Sequence, residues 1–165
     1  IIRSAPDVIR GHRGMAIAKQ LRNLWIKGCD VKIGYTVMGK DVSQFLKQPS
    51  ARGPVPIRHL VQDFDGDGVF DRYFHMKALT INGKIGNNPR ATWMVQGSAN
   101  LSQLALISDE TFAYFINRPG ITKRYQNHID YWYRNYPSTT HPNSMLVARL
   151  VEMGAIDPYA KMEMD

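Results

Sequence analysis

Apolar and polar positions recur along the first third of the chain with two different periods. Over residues 13–27 the apolar positions are three and four apart, which predicts an amphipathic helix that ends at Gly28. Over residues 30–37 the period falls to two, which predicts a strand. A short helix is predicted over residues 40–48, before a connection rich in Pro and Gly.

The second part of the chain favours strands, followed by helices. The predicted strands span residues 57–61, 73–81, 91–96 and 112–116. Asn82-Gly83 predicts a hairpin turn after the second of these strands, and a further turn is predicted at residues 87–89. Helices are predicted over residues 117–136 and 143–154. This order predicts an α/β fold, with a mixed β-sheet flanked by helices.

Length and composition limit the class of protein. The 165 residues are 44% hydrophobic and 21% charged, which is typical of one globular domain spanning residues 1–165. No stretch approaches the roughly 20 apolar residues that cross a bilayer, so any membrane contact is expected to be peripheral. The net charge of +7 favours anionic partners, either phosphodiester backbones or acidic lipid headgroups.

Two short strings carry reactive side chains: His-Met-Lys at residues 75–77 and Gly-Ser-Ala-Asn at residues 97–100. Composition alone yields about 0.3 His-x-Lys and about 0.03 Gly-Ser-x-Asn matches per chain, so the second string is the more specific. Residues two apart on a strand project from the same face. We therefore expect His75 and Lys77 to share one surface, and Ser98 and Asn100 have the same spacing.

These side chains suit chemistry at a phosphodiester. Lys77, Ser98 and Asn100 can donate to nonbridging oxygens, whose negative charge grows in the transition state. A neutral His75 can attack phosphorus and form a covalent phosphohistidine. Gly97 lets the backbone approach a ligand closely. This chemistry requires no metal ion, so no cofactor is expected for catalysis.

At these residues the chain resembles the phospholipase D superfamily, whose signature is His-x-Lys, four residues, Asp, and then Gly-Ser-x-Asn on the following strand. The resemblance covers residues 17–136 and includes a Gly-Cys-Asp-Val-Lys-Ile run at residues 28–33. It implies a phospholipase D-like fold in which His75 is the nucleophile or the general acid. The family often carries an acidic residue on the next strand, so Glu110 is a candidate to orient the site. The resemblance also implies three phosphate ligands, Lys77, Ser98 and Asn100.

Two features depart from the family pattern. Asn82 stands where the signature has Asp, and an amide carries no negative charge, although Asn suits the predicted turn. The interval from Asn82 to Gly97 is also longer than usual, and residues 83–90 are interpreted as an inserted turn. Because that Asp is largely a supporting residue in the family, we expect the change to be tolerated.

The superfamily site needs two facing motifs, with one His attacking phosphorus and the other protonating the leaving oxygen. Only His75 has a Lys two positions further on, so the chain is expected to supply half of a site. One option is a homodimer in which two His75 side chains meet at the axis. The other is a second half, upstream or on a separate chain. The start at Ile1, without a leader segment, favours a missing upstream half, with this chain as the C-terminal half.

An acidic stretch precedes the histidine string. If Asp63 is counted as position 1, Asp residues occupy positions 1, 3, 5 and 9 and Gly occupies position 6, as at the start of an EF-hand-type loop. Position 12 is Phe74 instead of the usual Glu. We expect a structural Ca²⁺ here, and the alternative is an ordinary acidic turn. The predicted ligands are the Val69 carbonyl and four carboxylates, those of Asp63, Asp65, Asp67 and Asp71.

The expected function is hydrolysis or transfer of phospholipid headgroups by a phospholipase D-type phosphodiesterase. A metal-independent nuclease of the same superfamily is the alternative, because a charge of +7 also suits nucleic acid. A second alternative is a non-catalytic, calcium-stabilised binding module, since Asn82 breaks the motif. A weak calcium loop suits the millimolar calcium outside cells, so a secreted, extracellular location is expected.

Overall fold

The chain adopts an α/β fold, seen in a computed structural model that describes residues 1–137 and 153–154. The strands follow in the order Ile2–Ala5 (β1), Val8–Ile9 (β2), Val31–Tyr35 (β3), Val37–Met38 (β4), Ile57–His59 (β5), Val61–Gln62 (β6), Arg72–Tyr73 (β7), Ala78–Ile85 (β8), Asn88–Gly97 (β9) and Phe112–Ile116 (β10). The helices are Gly11–Ile26 (α1), Lys40–Lys47 (α2) and Pro119–Asn135 (α3), with a 3₁₀ turn at Leu104–Leu106. The predicted helix over residues 143–154 lies outside the described residues, apart from a turn at 153–154.

Six strands form one mixed sheet in the order β10-β9-β8-β1-β3-β5. β1, β3 and β5 are parallel, whereas β8 is antiparallel to both β1 and β9, and β10 is antiparallel to β9. The parallel β1–β3 pair is joined through α1, as a crossover connection requires. β2 pairs with β4 and β6 with β7 in two small sheets. The predicted mixed α/β architecture is therefore confirmed.

Helices pack on both faces of this sheet. On one face, apolar residues of β1 and β3 form the main core with α1 and α2, through Ile2, Val31, Ile33, Ala18, Leu21, Val42 and Leu46. On the other face, α3 packs against β8, β1 and β9. Within the described residues, no helix combines the length and the apolar character needed to cross a membrane.

The α3 face contains a buried cation. The Arg3 side chain, only 4% exposed, contacts Asp30 at 2.7 Å and Asp130 of α3 at 2.6 Å. Arg3 holds the pKa of Asp30 below its usual value, chiefly through their hydrogen bond. This contact therefore stabilises the fold at neutral pH, and its contribution is lost as the pH falls through that lowered pKa.

The strand predicted over residues 73–81 is two strands in different sheets. Arg72–Tyr73 pairs with β6, and Ala78–Ile85 pairs with β1 and β9. Residues 74–77 belong to neither strand because the chain crosses here from one sheet to the other. The predicted strand over residues 57–61 is divided in the same way, between β5 and β6.

The β8–β9 hairpin was predicted with its turn in the wrong place. Asn82 lies inside β8, paired with Thr92, and the turn is at residues 86–87, where Gly86 has a φ of +57°. A Gly-Asn pair suits a two-residue turn, so β8 can continue beyond Asn82. The N–H of Asn82 also donates to the carbonyl of Ile1 at 2.8 Å, which fixes this position as part of the sheet.

The pattern of apolar residues predicts no strand before residue 13, although β1 lies in the middle of the sheet. β1 is only four residues long, and two of its four buried side chains, Arg3 and Ser4, are polar. The apolar pattern by which strands are predicted is therefore absent there.

Candidate functional site

The candidate site is built around Asp7, which follows the end of β1. Its backbone carbonyl accepts the N–H groups of Thr36 at 3.1 Å and Val37 at 2.8 Å. These bonds hold the Asp7 backbone against the segment that follows β3. Its side chain is 6% exposed, so the carboxylate has a fixed, largely dry position at the carboxyl ends of β1 and β3.

The Asp7 carboxylate brings the two reactive residues of the first motif together. Its Oδ2 lies 3.3 Å from Nε2 of His75 and 3.4 Å from Nζ of Lys77. The Lys77 side chain is nearly buried, whereas that of His75 is 59% exposed. The pair therefore presents an accessible imidazole with a largely enclosed ammonium beside it.

The shared surface predicted for His75 and Lys77 does not arise from a continuous strand. Residues 74–77 are held instead by contacts of Phe74, whose N–H donates to the Leu60 carbonyl and whose carbonyl accepts the Thr36 hydroxyl, both at 3.0 Å. The Phe74 ring also lies against aromatic residues of the α3 region, including Trp132 at 6.5 Å between centroids. These contacts fix the segment before it reaches Asp7.

The second motif lies directly beside the first. The N–H of Gly97 donates to the Lys77 carbonyl at 3.2 Å. Oδ1 of Asn100 accepts the N–H of Val8, the neighbour of Asp7, at 3.0 Å. This bond orients the Asn100 amide and leaves its NH₂ group as a donor. The sequence-predicted residues of both strings therefore come together at one edge of the sheet.

Ser98 and Glu110 form a pair of their own. The Ser98 hydroxyl donates to Oε2 of Glu110 and accepts the N–H of Thr111 at 3.0 Å. Because a hydroxyl has a single proton, Ser98 in this arrangement has none left for a phosphate oxygen. Lys77 and Asn100 are the phosphate donors that remain from the predicted set.

Gly97 has a different role from the one predicted. A Cβ at this position would lie 1.9 Å from the backbone oxygen of Thr111. Glycine is therefore required because the start of β10 passes against β9. The close approach that Gly97 allows is therefore between two strands of the protein, and not between the backbone and a ligand.

Burial and charge act in opposite directions on Lys77. Burial lowers the pKa of its ammonium below the ordinary value, while the negative charges of Asp7 and Glu110 oppose that shift. The two carboxylates therefore help to keep this enclosed lysine charged.

Asp7 is the site residue that sequence reasoning missed. It belongs to neither motif and is separated from His75 by 68 positions. The only available signal was an acidic residue directly after Pro6. That signal would have required β1 to be recognised as a central strand.

The acidic stretch forms the loop between β6 and β7. Asp63, Asp65 and Asp71 place one carboxylate oxygen each within 4.8 Å of one another. Asp67 is outside this group, and its Oδ1 accepts the N–H of Val69 at 2.8 Å. The structure thus brings together three of the four predicted carboxylates, and calcium binding stays a prediction.

No protein-family model matches the chain, and no curated protein matches it either.

Replacing Gly97 by Ala tests the contact between β9 and β10. We expect Gly97→Ala to lower the free energy of unfolding by about 1–3 kcal/mol, because the new methyl group overlaps the Thr111 backbone. Urea denaturation measures the change. Gly120→Ala is the matched control, since a Cβ there meets nothing within 4 Å and should leave stability unchanged or raised. Equal stability of both variants would contradict the proposed packing.

Calcium binding by the β6–β7 loop predicts a stability change. With a Kd of about 10⁻⁴–10⁻³ M, about 10 mM calcium should stabilise the protein by about 1.4–2.7 kcal/mol. Thermal melting in calcium and in EDTA measures this difference. Asp65→Asn should abolish the shift, whereas Asp41→Asn, in the first turn of α2, should retain it. An unchanged melting temperature would indicate that the β6–β7 loop is an ordinary acidic turn that binds no calcium.

Proposed function

We propose that this chain is one half of a phosphodiesterase of the phospholipase D type, acting through a covalent phosphohistidine. The observation that carries the proposal is the meeting of the two motif strings beside one buried carboxylate, that of Asp7. His75 and Lys77 both contact Asp7, and the Lys77 carbonyl is hydrogen-bonded to Gly97 of the second string. The β8–β9 hairpin brings the ends of the two strings together, and Asp7, 68 positions before His75, adds the carboxylate that both side chains of the first string contact.

In the first step, a ring nitrogen of His75 forms a bond to phosphorus as the bond from phosphorus to the leaving oxygen breaks. The leaving oxygen takes a proton from a second histidine. In the second step, water or an alcohol gives a proton to that second histidine and attacks phosphorus, and the nitrogen–phosphorus bond breaks. Both histidines return to their starting forms.

The other site residues act on charge and position during these steps. The Lys77 ammonium and the Asn100 NH₂ group donate to the nonbridging oxygens, whose negative charge rises in each transition state. Glu110 accepts the hydroxyl of Ser98, and Ser98 accepts the N–H of Thr111. This pair ties the Gly-Ser-Ala-Asn segment to the start of β10 and so keeps Asn100 in place.

The second histidine requires another motif-bearing half, and one surface suits its docking. Residues paired across adjacent strands share a face of the sheet, which places Tyr114, Val95, Leu79 and Ser4 on the face opposite α3. Along β10 the apolar residues on this face are all more than half exposed: Phe112, Tyr114 and Ile116. We call these three residues the apolar face. It continues into the site, because Phe112 follows Thr111, the backbone partner of Ser98.

The loop between Asn100 and Glu110 favours a lipid substrate. Three of its apolar side chains are exposed, with Ile107 reaching 82%, and they are Leu104, Leu106 and Ile107. Apolar side chains beside a phosphodiester site suit the acyl region of a phospholipid better than a nucleic-acid backbone. Phospholipid headgroups are therefore the first substrate to test, and DNA, which the charge of +7 also suits, is the second.

Replacing the proposed nucleophile tests the reaction. His75→Ala should lower turnover by at least about 10³-fold, because no nitrogen remains to bond phosphorus. The assay uses the chain together with its second half, in EDTA, on phosphatidylcholine vesicles and on single- and double-stranded DNA. His128→Ala, at an exposed histidine of α3 whose ring lies beside Phe74, should remain active, because the hydrogen bonds of the Phe74 backbone still hold the segment. Retained activity of His75→Ala would contradict the assignment of His75 as the nucleophile. Cleavage of DNA without cleavage of phosphatidylcholine would indicate the nuclease.

Docking of the second half on the apolar face predicts a loss of both association and activity in Tyr114→Glu. A carboxylate at the centre of this face would be buried without a partner. Sedimentation velocity and the phosphodiesterase assay measure the two effects. Tyr131→Glu is the matched control, because Tyr131 is 53% exposed, close to the 58% of Tyr114, but lies on α3 at the opposite face of the sheet. A fully active monomer would contradict the half-site.

A further inference from the structure

We propose that Asp7 is the positioning residue of this site, because one buried carboxylate oxygen contacts both the His75 imidazole and the Lys77 ammonium. It acts through these two residues without touching the substrate. The inference rests on the proposed function and deepens it, since neither motif contains Asp7.

The geometry of Asp7 differs from that of a purely structural ion pair in this chain. The Arg3 guanidinium lies 2.6 and 2.7 Å from the two carboxylates that it pairs with. The Asp7 carboxylate lies 3.3 and 3.4 Å from the nitrogens of its two partners. Oδ1 of Asp7 is buried and has no hydrogen-bond partner among the described residues. A buried carboxylate oxygen without a partner is costly. Long polar contacts of this kind are common in catalytic sites before substrate binds.

Asp7 can direct the attack of His75. The Asp7 carboxylate lies beside Nε2 of His75 and holds the proton there, which leaves the lone pair on Nδ1. The ring gains positive charge as that nitrogen bonds phosphorus, and the carboxylate stabilises this charge. Because the Asp7 backbone is fixed by Thr36 and Val37, the orientation of the ring is set before substrate arrives.

Asp7 also acts on Lys77. The charged groups that face this ammonium are Asp7 and Glu110, and both oppose the lowering of its pKa by burial. Without the Asp7 charge, burial would dominate further, and Lys77 would lose its proton at a lower pH. A substrate oxygen would then lose its cationic partner at a lower pH than in the unmodified protein.

The experiment compares Asp7→Asn, which keeps the shape and removes the charge, with the unmodified protein and its second half. With bis(4-nitrophenyl) phosphate as the probe, we expect kcat to fall by between about 10²-fold and about 10⁴-fold, with little change in KM. The alkaline limb of the kcat/KM profile should move to lower pH. Added formate should partly restore the rate of Asp7→Ala, because a free carboxylate can occupy the vacated space.

Asp130→Asn serves as the matched control, since it removes a carboxylate from the Arg3 ion pair, remote from the motifs. It should lose stability and keep its kcat and pH profile. If Asp7→Asn behaves like Asp130→Asn and formate has no effect, Asp7 has only a structural role and the inference is overturned.

A second measurement separates this inference from the proposed function. NMR titration of the Lys77 side chain should give a lower midpoint in Asp7→Asn than in the unmodified protein, whether or not a phosphodiester is cleaved. An unchanged midpoint would contradict the inference. If His75→Ala retains activity while the Lys77 midpoint still falls, the proposed function fails and the electrostatic coupling stands.

Discussion

The central strand β1 and the two residues after it place two charged side chains in the interior, and each requires an opposite charge from another element. Arg3 forms ion pairs with Asp30, directly before β3, and with Asp130 of α3. Asp7 is met by His75 and Lys77. The first set fixes the helix on one face of the sheet, and the second fixes the segment that crosses from β7 to β8. The placement of the candidate site therefore follows from satisfying buried charge.

The site itself is asymmetric in exposure, and this has a chemical consequence. Lys77 is enclosed and paired with a carboxylate, while His75 is open to solvent. An enclosed cation interacts strongly with an incoming phosphate because little water screens it. An exposed imidazole can reach phosphorus and can also face a second histidine from a partner. This asymmetry agrees with the proposed half-site, in which the second half would dock next to the apolar face on β10.

The Asn in place of the signature Asp is less disruptive than the motif alone suggests. Asn82 is a strand residue that pairs with Thr92 of β9 and is bonded through its backbone to Ile1. It lies at the other end of the β1–β8 pairing from Asp7, because this pairing runs from Ala5–Ala78 to Ile2–Ile81 and Asn82 follows Ile81. The role of this position in the sheet is carried by its backbone, which Asp and Asn share. Asn82 therefore gives no structural reason to doubt the site around His75.

Sequence by itself determined several local elements and the choice of candidate site residues. The period over residues 13–27 predicted α1 because helices of this kind are encoded by neighbours three and four apart, and a short helix was predicted where α2 lies. The two motif strings contain His75, Lys77, Ser98 and Asn100, and the family resemblance added Glu110. Tertiary structure alone decided three other matters: the central place of β1, the division of the strand over residues 73–81, and the meeting of Asp7 with both motif residues. These depend on pairings between residues far apart in the chain, and no local pattern of apolar and polar positions records which distant carboxylate will lie beside a buried lysine.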